Sequence, residues 1–374
     1  MADAMADDTA TTASAAANTT LAAGTIFTTA AALGAAFWRR KLIASVVGGA
    51  LYCRAISTLS KQPRDSPCPP FGETFRIMYG LFQTWLAELV LGYFLQTKWG
   101  EPQAEQLGGT TPVVGGTPEL RIKIVPILGG AFGGNYSYII WDGAAPAVGG
   151  KRPCIVVDPA DPFPVYVASR AEGLQIEVCL CSHWHFDHAG GNRALARRVP
   201  GLQVVGGAGD FARTPAATRQ VRDLEELTLG RIWMRAHAVP GHTRGSVVWE
   251  VGTSADADAP TAAFTGDTLF CGGCGALFES SADELHDSFA KLKSRLRGDC
   301  FLYPGHEYTE MLLRMVVRRE PFNLAAHKKL KEAELARARK LPTVPTTLEQ
   351  ELTYNFHLRC TKEELADLCG CGPA

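Results

Sequence analysis

Residues 179–192 read CLCSHWHFDHAGGN and place three imidazoles and a carboxylate, His183, His185, Asp187 and His188, in an H-x-H-x-D-H pattern. Imidazole nitrogen and carboxylate oxygen suit borderline, hydrolytic metals, zinc first and also manganese or iron. Four donors packed into one tight loop do not converge easily on a single tetrahedral ion and are more naturally shared between two neighbouring ions. Any one histidine is more often structural than a ligand. The clustering carries the inference.

Three further donors stand alone in turns that follow apolar runs: His242 in VPGHTRGS, Asp267 in FTGDTLF and His306 in LYPGHEYT. Open α/β folds gather their ligands at the carboxyl ends of strands, so such positions suit a metal cleft. The elements that must place them are readable from pattern. Residues 176–181 are apolar enough for a buried strand and 189–198 have a helical pattern, which puts the H-x-H-x-D-H motif in a strand-to-helix loop. Strands are expected at 121–128, 137–141, 153–157 (ending at Asp158), 202–205, 231–239, 246–251, 261–264 and 300–303. Helices are expected at 281–296, 310–318 and 323–339, before a break at Pro342 and Pro345. Together they describe an α/β core of two sheets with a helical cap at the carboxyl end.

The chain has 374 residues, enough for two domains or one large domain with additions. Lys+Arg 37 against Asp+Glu 38 leaves a formal net charge of −1, and no basic tract argues for nucleic acid. The 11 cysteines are scattered, which points to reduced thiols. Cys271 and Cys274 form C-G-G-C, a weak redox signal. His237, His286 and His357 belong to no motif and read as structural or exposed.

The amino-terminal region is different in character. Residues 1–20 are small, polar and alanine-rich and are expected to be disordered. Residues 21–38 form an uncharged run followed by Arg39, Arg40 and Lys41, and residues 75–99 are apolar and aromatic. These stretches suggest membrane association through residues 21–99, with the catalytic part on the cytoplasmic side, or targeting to the mitochondrion or another organelle. Pro- and Gly-rich linkers at 57–71 and 100–119 put the start of the globular part near Leu120.

H-x-H-x-D-H, PGHT, FTGDTLF with the GCG turn at Gly273, Cys274 and Gly275, PGHEYT and the later PTVPTTLEQELTYN occur in the order seen in the metallo-β-lactamase superfamily. Within it the chain resembles the glyoxalase II (hydroxyacylglutathione hydrolase) branch over residues 120–360. VVDPADP, GGNRALARR and FRIMYG further resemble a membrane-associated member of that family. The resemblance implies an αββα sandwich of two mixed sheets with a carboxyl-terminal helical cap. It divides the chain into an amino-terminal part at 1–119, a catalytic domain at 120–309 and a substrate-binding cap at 310–374.

It also implies two divalent ions, most simply Zn2+ with Fe or Mn as substitutes. His183, His185 and His242 would hold one, Asp187, His188 and His306 the other, and Asp267 would bridge them. Asp187 and Asp267 are the implied catalytic carboxylates, and a glutathione thioester such as S-lactoylglutathione is the implied substrate. The substrate contacts implied are Phe278, His327 and Lys329. The branch carries a basic residue and a tyrosine after the GCG turn, where this chain has Ala276 and Phe278. Losing a charge-assisted hydrogen bond of about 1.5–3 kcal/mol weakens binding by roughly one to two powers of ten. Two alternatives stay open: a mononuclear iron persulfide dioxygenase, and a membrane-tethered regulatory protein with weak or no hydrolase activity. Oligomeric state is not readable.

Overall fold

The computed structural model describes residues 119–128, 134–254 and 258–369. The first sheet has six strands in sequence order: β1 (Leu120–Ile127), β2 (Asn135–Asp142), β3 (Arg152–Val157), β4 (Leu174–Leu180), β5 (Gln203–Gly207) and β6 (Arg219–Val221). β1, β2 and β3 pair antiparallel and β3 to β6 pair parallel, so the sheet is mixed. All eight residues of β2 are buried, which is what a strand covered on both faces requires.

Three helices follow strands of this sheet: α1 (Pro162–Ala171), α2 (Phe186–Ala189) and α3 (Asn192–Arg198). α1 has no counterpart in the pattern reading, because the prolines of DPFPVY look like a breaker. Pro162 stands instead in the first turn, where a missing N–H costs nothing, and the Asp161 side chain caps Phe163 N. The helix expected at 189–198 is likewise split. Asp187 and His188 sit on the single turn of α2, and the chain then bends through Gly190 and Gly191. A Cβ at Gly191 would lie 2.0 Å from the Pro159 carbonyl oxygen, so only glycine lets the chain pass so close to the β3–α1 connection.

The second sheet holds β7 (Glu226–Leu229), β8 (Ile232–Ala238), β9 (Val247–Thr253), β10 (Ala262–Gly266), β13 (Phe301–Pro304) and β14 (Thr346–Thr347), in the order β14-β13-β10-β9-β8-β7. Only β10 and β13 are parallel neighbours. β11 (Leu269–Phe270) and β12 (Gly273–Cys274) form a separate small hairpin. The remaining helices are α4 (Ala282–Arg295), α5 (Thr309–Arg319), α6 (Leu324–Ala338), α7 (Leu348–Tyr354), α8 (Phe356–Arg359) and α9 (Lys362–Cys369). α4 opens on a Ser281–Glu284 capping box and buries Leu285, Phe289 and Leu292 on one stripe.

Between the sheets lies the main core, with Ile122, Tyr138, Ile155 and Leu180 facing Met234, Trp249, Phe264 and Tyr303. Burying one such apolar side chain stabilises by about 1.5–3 kcal/mol. Trp249 is fully buried, and its indole N–H donates across the layers to the Cys181 carbonyl at 3.0 Å. That bond ties the second sheet to the carboxyl end of β4, where the histidine motif begins. α1 and α3 cover the outer face of the first sheet and α4 that of the second, giving the αββα sandwich. α5, α6, α7 and α8 share their own apolar cluster, including Leu313, Val316, Ala326, Tyr354 and Phe356, and form the helical cap.

The expected membrane-associated placement is corrected. Among the described residues no helix is long and apolar enough to cross a membrane. The longest, α6, has 15 residues, against about 20 apolar residues for a bilayer span. The apolar stretches 21–38 and 75–99 and the residues expected to be disordered lie outside the described residues. Cys154, Cys179, Cys181, Cys271, Cys274, Cys300 and Cys360 form no disulfide.

Candidate metal centre

Strand ends bring seven donors together. His183 and His185 follow β4, Asp187 and His188 ride on α2, His242 lies between β8 and β9, Asp267 follows β10, and His306 follows β13. The donors form three overlapping groups, His183–His185–His242, His183–His188–Asp267 and Asp187–His188–His306, each with ligand atoms within 4.8 Å of one another.

In the first set His185 Nδ1 lies 3.1 Å from His183 Nε2 and 2.9 Å from His242 Nε2. The proton positions follow from the partners. His242 Nδ1 is 2.7 Å from the Ala276 carbonyl, which only accepts, so Nδ1 carries the proton and Nε2 a lone pair. Ser182 Oγ donates to Asp158 Oδ2 at 2.5 Å, so His183 Nδ1, 3.0 Å from Oγ, donates to the hydroxyl and its Nε2 also carries a lone pair. Two lone pairs therefore face His185 from about 3 Å. A tetrahedral ion with Zn–N bonds of about 2.0–2.1 Å sets its ligands about 3.3 Å apart, so the three nitrogens fit a cation. Burial pushes His183 well down, His185 to about 3 and His242 down, which keeps the imidazoles neutral as ligation requires.

The second set is ionic. His188 Nε2 lies 3.1 Å from Asp267 Oδ1 and 3.3 Å from His306 Nε2, and His306 Nε2 lies 3.4 Å from Asp187 Oδ2. Asp267 Oδ2 reaches His306 at 3.3 Å and His242 of the first set at 3.6 Å. Asp267 therefore stands between the two sets. Burial opposes charge on all four groups, yet mutual attraction outweighs it. His306 rises to about 9 and His188 rises well above the usual range beside Asp267 and Asp187, while Asp187 falls to about 2 and Asp267 falls well down. Such a cluster of opposed charges is one that a divalent cation replacing the two imidazolium protons would satisfy.

Supporting residues escaped the pattern reading. Asp158, in the left-handed region at φ 48, accepts from Ser182 N at 2.7 Å and from His188 Nδ1 at 2.9 Å. The same side chain thus orients His183 through a hydroxyl and His188 directly. Asn135 donates to the Asp187 carbonyl at 3.0 Å and lies 3.4 Å from its carboxylate. Tyr308 stacks on His306, with ring centroids 4.6 Å apart. Buried Asp210 accepts from Thr243 Oγ1 at 2.6 Å, Gly245 N at 3.1 Å and Trp184 N at 3.3 Å, locking the His242 loop to the H-x-H loop. Only Asp158 gave a signal in the sequence, as a polar residue ending a strand. Asn135 and Asp210 act on partners distant in the chain, and Tyr308 acts by ring stacking inside the PGHEYT motif.

The three implied substrate contacts are placed unequally. Phe278 is half-buried and stands edge-on to His185 at 5.6 Å and to His242 at 5.1 Å, a wall beside the first set. Ala276 is exposed. Lys329 on α6 is mostly buried, 4.0 Å from Glu332. Burial and the Glu351 carboxylate push the nearby Cys271 thiol well up, against the Lys329 ammonium. His327 is exposed, and its Nε2 lies 2.9 Å from the Pro321 carbonyl. Its ring serves the start of its own helix. Of the unassigned histidines, His237 is buried against Glu250 at 2.9 Å.

Comparison with known proteins agrees with this geometry. Residues 130–306 match the metallo-beta-lactamase superfamily and residues 307–373 the hydroxyacylglutathione hydrolase C-terminus. A cytoplasmic hydroxyacylglutathione hydrolase of Arabidopsis thaliana is 37% identical over 238 residues, 63% of this chain and 88% of that protein. A hydroxyacylglutathione hydrolase-like protein of Gallus gallus is 35% identical over 251 residues, 67% of this chain and 84% of that protein. Among solved structures, a metallo-beta-lactamase from Staphylococcus aureus superposes with TM-score 0.50 at 19% identity, covering 69% of each chain, a likeness of fold alone. The two family matches meet at residue 306, the last of the seven donors, and the chain belongs to the hydroxyacylglutathione hydrolase family of the metallo-β-lactamase superfamily.

Proposed function

We propose that this chain hydrolyses glutathione thioesters such as S-lactoylglutathione, releasing a 2-hydroxy acid and glutathione, at a centre of two divalent ions. The observation that carries the reading is Asp267, whose carboxylate reaches His242 of one ligand set and His188 and His306 of the other. His183, His185 and His242 would hold one ion, Asp187, His188 and His306 the second, with Asp267 shared. A nitrogen and oxygen donor set without thiolate favours zinc and also accepts iron or manganese. When bound, the ions supply Lewis acidity and draw the pKa of water from about 15.7 towards about 7.

The protein's own groups do the rest. Asp187 and Asp267, both held ionised, would serve first as ligands of the ions, Asp187 with orientation of the nucleophile as a secondary role. Asn135 holds Asp187 in place through both its bonds. Phe278 screens the first set from bulk water and leaves a flat apolar surface for the substrate. On the cap, residues 310–374, Lys329 would be the cation that meets a carboxylate of the thiol part, with His327 a lesser contact. The bond broken is carbon to sulfur. A thiol with a pKa of about 8.5 leaves as thiolate with little acid assistance, so the residues need only position and polarise.

Hydrolysis of S-D-lactoylglutathione by the full chain, with metal content measured on each sample, tests the reading. Turnover that rises with bound metal and disappears in Asp267→Ala is expected. A folded, fully metallated protein without turnover overturns the substrate assignment, and oxygen uptake with glutathione persulfide at one iron per chain puts a dioxygenase in its place.

A further inference from the structure

A buried carboxylate on the cap has no part in the proposed chemistry. Glu351 of α7 is fully buried. Its Oε2 accepts from Gly272 N at 2.9 Å and from Asn355 Nδ2 at 2.9 Å, and its Oε1 accepts from Tyr354 OH at 2.7 Å. Asn355 Nδ2 also faces the carbonyls of Phe270 at 3.2 Å and Gly273 at 3.1 Å. Three backbone groups of the β11–β12 hairpin, Phe270 O, Gly272 N and Gly273 O, are thus held by two side chains of the cap. The hairpin has a ladder of only two residue pairs of its own. A carboxylate met by these three donors and by the Cys271 thiol of the same hairpin is what holds such a turn from outside.

What the hairpin carries gives the clamp a consequence. It leaves Asp267 at one end and enters the Gly275–Ala276–Phe278 turn at the other. A Cβ on Gly275 would lie 1.9 Å from the Asp267 carbonyl oxygen, so the two ends pack without slack. Ala276 O is the acceptor that fixes the His242 tautomer, and the Phe270 ring meets His306 edge-on at 5.9 Å. One hairpin therefore touches a ligand of each set.

We propose that Glu351, with Asn355, is a positioning residue that sets the metal centre from the cap by holding the Phe270–Gly273 turn. The proposal rests on the two-ion reading but not on the identity of the substrate. Partners that orient metal ligands typically change metal affinity by about 10–100-fold when removed.

The experiment uses the full chain and measures Zn2+ affinity by competition with a chromophoric chelator, the Co2+ d–d spectrum, thermal unfolding, and kcat and KM. Glu351→Ala is expected to bind Zn2+ about 10–100-fold more weakly and to shift the Co2+ spectrum. Its kcat is expected to fall while KM stays within about two-fold. Glu351→Gln keeps one acceptor but turns an amide N–H2 towards a donor, and falls between Glu351→Ala and the parent. Asn355→Ala frees the two carbonyls and shows a smaller loss in the same direction; it decides the matter if Glu351→Ala does not fold. Parent-like metal affinity, spectrum and kcat in the folded variants, with only a lowered unfolding temperature, overturns the proposal. Metal affinity needs no substrate, so this result stands apart from success or failure of the thioester assignment.

Discussion

The two ligand sets sit side by side but are built on different principles. His183, His185 and His242 are three neutral imidazoles, kept so by burial and oriented by a hydroxyl and a backbone carbonyl. Asp187, His188, His306 and the shared Asp267 form an ionic cluster, oriented by a carboxylate and an amide. A neutral nitrogen set gains most from an ion by satisfying converging lone pairs. An ionic set gains by exchanging protons for a divalent charge. The difference teaches that Asp267, whose carboxylate reaches imidazoles of both sets, is the place where one change should disturb both ions most.

The largest effect is therefore expected from Asp267→Ala, with both ions weakened and kcat/KM lowered by about 10³-fold, from several kcal/mol of lost charge stabilisation. Loss of one ion alone, measured by metal analysis of the purified protein, breaks the idea that the residue is shared. Next comes the orienting layer. Asp158→Asn removes the carboxylate that meets His188 directly and His183 only through Ser182, and is expected to weaken the second ion by about 10–100-fold and the first by less. Ser182→Ala removes only the hydroxyl behind His183 and should weaken the first ion by less than about 10-fold. Calorimetric titration of both variants with Zn2+ separates them, and equal losses erase the contrast drawn here.

The smallest effect belongs to the rim of the first set. Ala276→Arg or Phe278→Tyr restores a charge or a phenol beside the apolar wall, and KM for S-D-lactoylglutathione is expected to fall by at most about 10-fold for about 1.5 kcal/mol. Metal content should not change. A higher KM shows that the apolar rim is itself the recognition surface.

The sequence made the seven donors legible because four crowd one loop after an apolar run and three stand in turns after apolar runs, patterns that survive without any long-range contact. Strands and long helices were legible for the same local reason, to within about two residues. α1 was not, since Pro162 is helix-forming only at the one position it occupies. β6 and β7, of three and four residues, were too short to show a period. The layer behind the ligands was hidden more deeply. Asn135 meets Asp187 from 52 residues away, and Ala276 acts through a carbonyl that any residue possesses. Glu351 reads as one more acid on an amphipathic helix, and its clamp emerges only once the cap is folded over the hairpin.

The most direct test of a centre with two unlike sets joined by one carboxylate is turnover of S-D-lactoylglutathione followed as Zn2+ is added back, equivalent by equivalent, to the metal-free full chain. Turnover is expected to stay near zero through the first equivalent per chain and to rise through the second. Full turnover at one equivalent, or none at two, contradicts it.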